Sequence, residues 1–184
     1  MKRRFGTVAC IALLVALLVA PAVAFAEDAT TTAPAPFQLT SDEQMLLNLI
    51  NKQRTKRGLA KLRVGVKLTT CARSHSQEMG EEQYFAHPSL SGESCAKRIL
   101  RFGYTKSGYK FWKVGENIYY GCGLYSSPVC VIQAWMKSPA HRAVILTRCF
   151  RDIGLGAYVA DQGYGSIDSP VTFYTIDLGR RIRQ

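Results

Sequence analysis

Residues 127–146 read SPVCVIQAWMKSPAHRAVIL and predict two consecutive helices. Ser127 followed by Pro128 is typical of a helix start, because the serine oxygen accepts a free backbone N–H and proline suits the first helical position. Trp135 and the apolar residues one turn before it form a stripe that must pack against a core. Pro139 ends this helix, since its ring clashes with the preceding turn and it lacks an N–H.

The second helical turn, Ala140 to Leu146, begins at once and carries His141 near its start. The tryptophan helix therefore holds one imidazole at the edge of a hydrophobic layer. We expect the rest of the chain to bring a second imidazole and a carboxylate to that edge.

Residues 1–26 have the pattern of a signal peptide. Basic side chains at positions 2–4 precede an apolar run at 8–20, and Ala-Phe-Ala at 24–26 is a small-x-small cleavage site. The apolar run is shorter than the roughly 20 residues that a bilayer span needs. The sequence predicts a secreted protein, or one kept in the cell envelope, without a transmembrane segment after cleavage.

The mature chain has the length of one domain. Residues 27–40 are rich in Thr, Pro and Ala and predict a linker. Residues 41–180 are predicted to form the folded domain, and residues 181–184 a basic tail.

The net charge is +11, and three of these charges lie in residues 1–26, which leaves +8 after cleavage. A basic exported domain attracts anionic polymers and lipid head groups. Yet Lys and Arg are scattered, apart from Arg180, Arg181 and Arg183 near the end, and no nucleic-acid-binding motif accompanies them. The sequence therefore favours a solubilising surface and predicts no specific nucleic-acid partner.

The cysteines allow disulfides, because an exported chain meets an oxidising environment. Five remain after cleavage, and they are Cys71, Cys95, Cys122, Cys130 and Cys149. An odd number leaves at least one thiol free or paired with another chain. Cys122 and Cys130 bracket a short loop and are the first pair expected, whereas the sequence leaves any second pair open.

Helices dominate the first part of the domain and strands the last. Helices are predicted from Thr40 or Ser41 to before Gly58, from Val66 to Glu82 and from Ser94 to Phe102. Residues 103–112 are predicted to form a loop or an irregular strand. Two strands, at 153–159 and 171–178, are predicted to form a hairpin. This order indicates an α+β fold, with helices covering an antiparallel sheet.

Three residues are candidates for chemistry. His87 precedes a proline, which favours extended geometry and displays the ring from a loop. Glu116 follows Gly115, and His141 begins the short helix. Taken singly, each is also typical of a surface residue or of one that holds a loop by hydrogen bonds. A fourth polar residue, His75, lies on the apolar side of its helix and is predicted to be a core histidine.

Several separate motifs in order resemble one known family. They are LLNLINKQRTKRGLAKL, LTTCARSHSQEM, YFAH, VGENI, AWMKSPAHRAVIL and IGLGAYV, spread from about Glu43 to Leu178. Together they resemble the CAP superfamily (cysteine-rich secretory proteins, antigen 5 and pathogenesis-related proteins) in its bacterial SCP-like form.

The resemblance implies a three-layer α-β-α sandwich with a cleft that contains two histidines and two acidic residues. By motif, the histidines correspond to His87 and His141 and the first acid to Glu116. The second acid of the eukaryotic members, three residues after the helix tryptophan, corresponds to Ser138 here. Its absence weakens any mechanism that needs a carboxylate pair.

Two imidazoles and a carboxylate match the ligands of a catalytic zinc site with one position open to water. His87, His141 and Glu116 are thus the expected ligands of Zn²⁺ or another divalent metal, or else Glu116 only holds the imidazoles in place. Three functions stay open. The first is a module that binds an extracellular lipid, cell-wall polymer or peptide. The second is a peptidase-like hydrolase that uses a metal-bound water or Glu116 as base, and the third is a scaffold without chemistry. The missing second acid favours binding, and whether the protein is an enzyme stays undecided.

Overall fold

The computed structural model describes residues 37–184, so the expected signal peptide and most of the expected linker lie outside the described residues. The helices are α1 (Ser41–Thr55), α2 (Val66–Glu81), α3 (Cys95–Arg101), α4 (Pro128–Lys137) and α5 (Pro139–Ile145), and the strands are β1 (Arg63–Val64), β2 (Tyr109–Cys122), β3 (Asp152–Ala160) and β4 (Val171–Arg183). A single 3₁₀ turn, Gly123–Ser126, precedes α4. Within the described part of the chain, no helix is long and apolar enough to cross a bilayer.

Side-chain caps confirm the predicted starts of α1, α3 and α4, whereas α5 begins at Pro139, one residue before the predicted Ala140. Thr40 and Glu43 form a capping box at α1, in which the threonine oxygen accepts from the Glu43 N–H and the Glu43 carboxylate accepts from the Thr40 N–H. The same carboxylate accepts from Arg73 of α2 at 2.8 Å, so the cap also joins two helices. Ser127 caps α4 as expected.

The sheet has the strand order β1-β3-β4-β2. β4 is antiparallel to both β2 and β3, whereas the two-residue β1 is parallel to β3, so the sheet is mixed and not purely antiparallel. The expected hairpin is present as β3 and β4. β4 extends to Arg183 and so includes residues 181–183, which the sequence suggested were a tail.

β2 is longer than the sequence indicated. Residues 103–112 were expected to form a loop or irregular strand, but from Tyr109 onward they belong to a 14-residue strand. The physical reason is pairing: β2 is hydrogen-bonded to β4 along its whole length, with a register irregularity near Tyr109. β2 is also the edge strand of the sheet that residues 37–184 form, with β4 as its one neighbour there.

Helices cover both faces of the sheet, which confirms the α-β-α sandwich. Alternate residues of β4 point to opposite faces. Tyr174, Ile176 and Leu178 join the core that α1, α4 and α5 build around Trp135. Phe173 packs on the other face with Met79 of α2.

Two glycines of β3 let α2 lie directly on the sheet. A Cβ at Gly154 would overlap the carbonyl group of Leu68, and a Cβ at Gly156 would overlap that of Ala72. No side chain fits in either gap. This close approach fixes the height of Cys71 and His75 of α2 above the strands.

All five described cysteines are free thiols, so the expected Cys122–Cys130 disulfide is not formed. Cys130 lies in the first turn of α4, where its thiol donates to the carbonyl oxygen of Leu124 at 3.3 Å. The Cys130 thiol is therefore bonded to the 3₁₀ turn, whereas the sequence predicted that it would pair with Cys122.

Candidate functional site

The site is built around two consecutive residues of the edge strand β2. Glu116 is buried on the face that α2 and α3 cover, opposite Asp177 of β4. Asn117 is buried on the other face, toward α5. The pleat therefore directs their side chains to opposite sides of the sheet.

Glu116 holds His87. The Nδ1 of His87, which lies in the loop between α2 and α3, donates to Oε1 of Glu116 at 2.8 Å. A carboxylate can only accept, so this bond places the proton of the neutral ring on Nδ1 and leaves a lone pair on Nε2. The His87 side chain is 52% exposed, so its free edge is open to solvent.

Arg98 of α3 neutralises Glu116, and the sequence did not single it out. Its guanidinium donates to Oε2 of Glu116 and, at 3.2 Å, to the backbone oxygen of His87. Burial opposes the ionisation of Glu116, but the hydrogen bond from His87 and the charge of Arg98 outweigh it. The pKa of Glu116 therefore lies below its ordinary value.

His141 is held from the other face of β2. Asn117 donates its side-chain amide to the backbone oxygen of His141 at 3.0 Å. The ring Nδ1 lies 2.8 Å from the hydroxyl of Ser138, the residue that stands where the resemblance places the second acid. Burial lowers the pKa of His141 and so favours its neutral form.

His75 lies in the core, as predicted. It is fully buried, and its Nε2 donates to the backbone oxygen of Ala86 at 3.1 Å. Burial lowers the pKa of its ring. His75 thus holds the chain just before His87 and takes no position in the cleft.

A cavity of about 330 Å³ lies beside His141. Its lining is Phe85, Ile118, Tyr119, Tyr120, Ala134, Trp135, Ser138 and His141. The Trp135 indole N–H is already bonded to the Ile118 carbonyl at 3.0 Å, so the ring offers the cavity only apolar surface. The Phe85 ring packs edge-on against that of Tyr120, with centroids 4.8 Å apart.

Asp177 is buried behind Glu116 and forms an acidic cluster with it. Ligand-type atoms of Cys95, Glu116 and Asp177 all lie within 4.8 Å of one another, the one such trio among residues 37–184. Among the residues that the structure describes, none donates a hydrogen bond of good geometry to either carboxyl oxygen of Asp177. Burial, reinforced by the charge of Glu116, raises the pKa of Asp177 well above its ordinary value, so the protonated carboxyl is the favoured state.

The expected metal ligands fit a metal only in part. Both oxygens of Glu116 already accept a hydrogen bond, from His87 and from Arg98, and Arg98 balances its charge, which makes the carboxylate a poor ligand for a cation. In the described part of the chain, the Nε2 atoms of His87 and His141 have no hydrogen-bond partner and remain available as donors. The arrangement suits Glu116 to orienting an imidazole rather than to direct ligation.

Comparison with known proteins places this architecture in one family. Residues 47–178 match the model of the cysteine-rich secretory protein (CAP) family. The uncharacterised protein YkwD of Bacillus subtilis (strain 168) is 37% identical over 135 residues, which cover 73% of this chain and 49% of YkwD, so the chain spans about half the length of that relative.

Two solved structures share the fold. An extracellular protein containing an SCP domain from Bacillus anthracis is similar with a TM-score of 0.58 at 25% identity, over 81% of this chain and 45% of that one. An outer surface protein of Borrelia burgdorferi has a TM-score of 0.61 at 20% identity, over 79% of this chain and 96% of that one. The family match covers most of the chain and every element that builds the cleft, and the protein therefore belongs to the cysteine-rich secretory protein (CAP) family.

Proposed function

We propose that this is an exported domain that binds an amphipathic extracellular ligand, with an apolar chain in the 330 Å³ cavity and a polar group beside His141 and Ser138. The observation that carries the proposal is the lining, in which six of eight residues are apolar or aromatic. Mostly apolar cavities with a few convergent polar groups are typical of small-molecule sites.

The charges around the cleft support an uncharged or weakly polar contact. The pKa of His141 is lowered by burial, and Glu116 is already paired with Arg98. Eight methylene groups transferred from water to this cavity would gain about 6 kcal/mol before the cost of association is subtracted. Apolar burial is therefore the largest favourable contribution that the cleft offers a ligand.

The hydrolase alternative has less support. A general base needs a pKa near the working pH, whereas the pKa of Glu116 lies below its ordinary value. The hydrogen bonds that Glu116 accepts from His87 and Arg98 both favour its ionised form and so make it a weaker base.

Fluorescence titration with an uncharged fatty-alcohol probe tests the proposal. Ala134 lines the cavity, so Ala134→Trp should fill it and weaken binding by at least about tenfold. Ala143→Trp adds the same ring at an exposed position of α5 and is the matched control, with affinity unchanged. Failure of the intact protein to bind probes of any chain length, or equal binding by Ala134→Trp, would overturn the proposal.

A second candidate is a divalent metal held by the two imidazoles, because both Nε2 atoms are free of hydrogen bonds in the described residues. Such an ion would act as a Lewis acid or anchor a ligand group. Zinc titration by calorimetry should show uptake that His87→Ala and His141→Ala abolish. Glu116→Gln should weaken uptake by about 10–100-fold, since it acts through His87. No uptake by the intact protein removes this candidate.

A further inference from the structure

A second cavity, of about 360 Å³, lies where β1 meets α2 and where β4 ends. It shares no lining residue with the cleft beside His141. Four of its lining residues are basic, and they are Arg63, Lys67, Arg181 and Arg183. Arg63 and Lys67 precede Arg181 and Arg183 by more than a hundred positions, so the sequence did not show that the two pairs meet.

The single acid of the lining, Asp152, is already engaged. The Tyr104 hydroxyl donates to one of its oxygens at 2.8 Å, and Arg63 contacts the other at 3.3 Å. Arg63 is thus balanced by Asp152. Lys67, Arg181 and Arg183 have no acidic partner in the lining.

Arg181 is held in place by two aromatic rings. Its guanidinium carbon lies 4.0 Å from the ring centroid of Tyr104 and 4.6 Å from that of Tyr109. Stacking on both rings holds the Arg181 side chain in one conformation. Less rotamer entropy is therefore lost when Arg181 binds a ligand. A fixed guanidinium is prepared for directional hydrogen bonds to an oxyanion.

The start of α2 adds to the positive potential of this cavity. Its cap residue, Gly65, offers no side-chain acceptor, and the first turn contains no acid but does contain Lys67. A helix start is a region of partial positive charge, so the cations gathered there repel both it and one another. A bound anion would relieve this repulsion.

We propose that this cavity binds a phosphate group, carried either by an anionic phospholipid or by a soluble phosphate ester. A phosphate has three or more acceptor oxygens and a charge of about −1 to −2. It therefore suits the three cations that have no acidic partner in the lining better than a single carboxylate would. The site does not depend on the cleft, so the protein can attach to a phosphate-bearing surface while the cleft stays free.

Two binding measurements at about 0.15 M ionic strength, where diffuse attraction is screened, test the site and identify the source. The first is co-sedimentation with phosphatidylcholine vesicles that contain phosphatidylglycerol, and the second is calorimetric titration with glycerol 1-phosphate. Binding in the vesicle arm alone assigns a lipid source, and binding in the glycerol phosphate arm supports the site for soluble esters. Binding in neither arm overturns the proposal.

Charge-matched variants separate a built site from general surface charge. Arg181→Gln should weaken binding by at least about tenfold. Arg57→Gln removes one charge from the exposed end of α1, where Arg57 bonds only within its own segment, and should stay within about twofold of the intact protein. Equal loss in both variants would overturn the proposal.

A second variant keeps the proposal testable if Arg181→Gln disturbs the fold. Lys67 and Arg183 are exposed, so the double change Lys67→Gln/Arg183→Gln should leave the urea midpoint unchanged and still weaken binding by at least about tenfold. Full binding by this folded variant would contradict the site.

Discussion

Arg98 should be the most sensitive polar residue of the domain. It is 1% exposed, and its guanidinium reaches Glu116, the backbone oxygen of His87 and the hydroxyl of Ser89. Arg98→Met keeps much of the apolar stem but removes the positive charge. Glu116 is then left buried with His87 as its remaining partner.

The expected loss of stability follows from that stranded charge. Removing one partner of a buried ion pair costs about 3–5 kcal/mol. Because Glu116 keeps its bond to His87, we expect a value near the lower end of that range, about 3 kcal/mol. The pKa of Glu116 should rise in this variant, since burial would no longer be outweighed by the charge of Arg98.

Urea unfolding at neutral pH measures this loss within a double-mutant cycle. The cycle comprises Arg98→Met, Glu116→Gln and the double variant, and we expect a coupling free energy of at least about 2 kcal/mol. Arg57→Met is the control for losing an exposed arginine, with a change within about 0.5 kcal/mol. If the Arg98 and Glu116 changes are additive within about 0.5 kcal/mol, the reasoning about the buried pair is refuted.

Four further predictions test the packing, the two buried acids and the second histidine. Gly156→Ala places a methyl group against the α2 backbone and should cost about 3 kcal/mol in urea unfolding, whereas Gly65→Ala, whose nearest neighbour would be 3.6 Å away, should cost under about 1 kcal/mol. Because the native pKa of Asp177 is raised, stability should fall as pH rises from about 4 through that pKa, and Asp177→Asn should remove this fall and raise the thermal midpoint at neutral pH. The pKa of Glu116 is lowered, so its contribution is present above about pH 4.3 and should be lost on acidification below that in urea titrations, but not in Glu116→Gln. Asn117→Ala should cost about 1–2 kcal/mol and weaken fatty-alcohol binding, because it frees the backbone of His141.

The helices were predictable because their ends are encoded locally. Thr40 with Glu43, Ser94, Ser127 and Pro139 each cap or break a helix through neighbours within a few residues. The apolar stripe of α4 predicted that this helix packs against a core, and it packs against the sheet. The family motifs added His87, Glu116 and His141 as candidates.

The supporting residues of the site were not predictable in the same way. Arg98 follows Lys97 in a short helix, and nothing in the sequence distinguishes the buried cation from the exposed one. Asp177 gave a signal, since it is one acid within an apolar strand, but its neighbour Glu116 lies 61 positions earlier. Strand register brings Asp177 to Glu116, and the packing of α3 on the sheet brings Arg98 to it. A single sequence reveals neither.

The position of the site on an edge strand explains why consecutive residues control both histidines. Glu116 holds His87 from one face of β2, and Asn117 holds His141 from the other. In the described part of the chain β2 has a neighbour on one side only, so its free edge lies between the two faces that hold the rings. The pleat of one strand therefore helps to position both rings, together with the loop that carries His87 and the helix α5 that carries His141. A one-residue slip of β2 against β4 would exchange the faces of Glu116 and Asn117 and release both rings together. The 13 paired positions between these strands therefore stabilise the geometry of the cleft as well as the sheet.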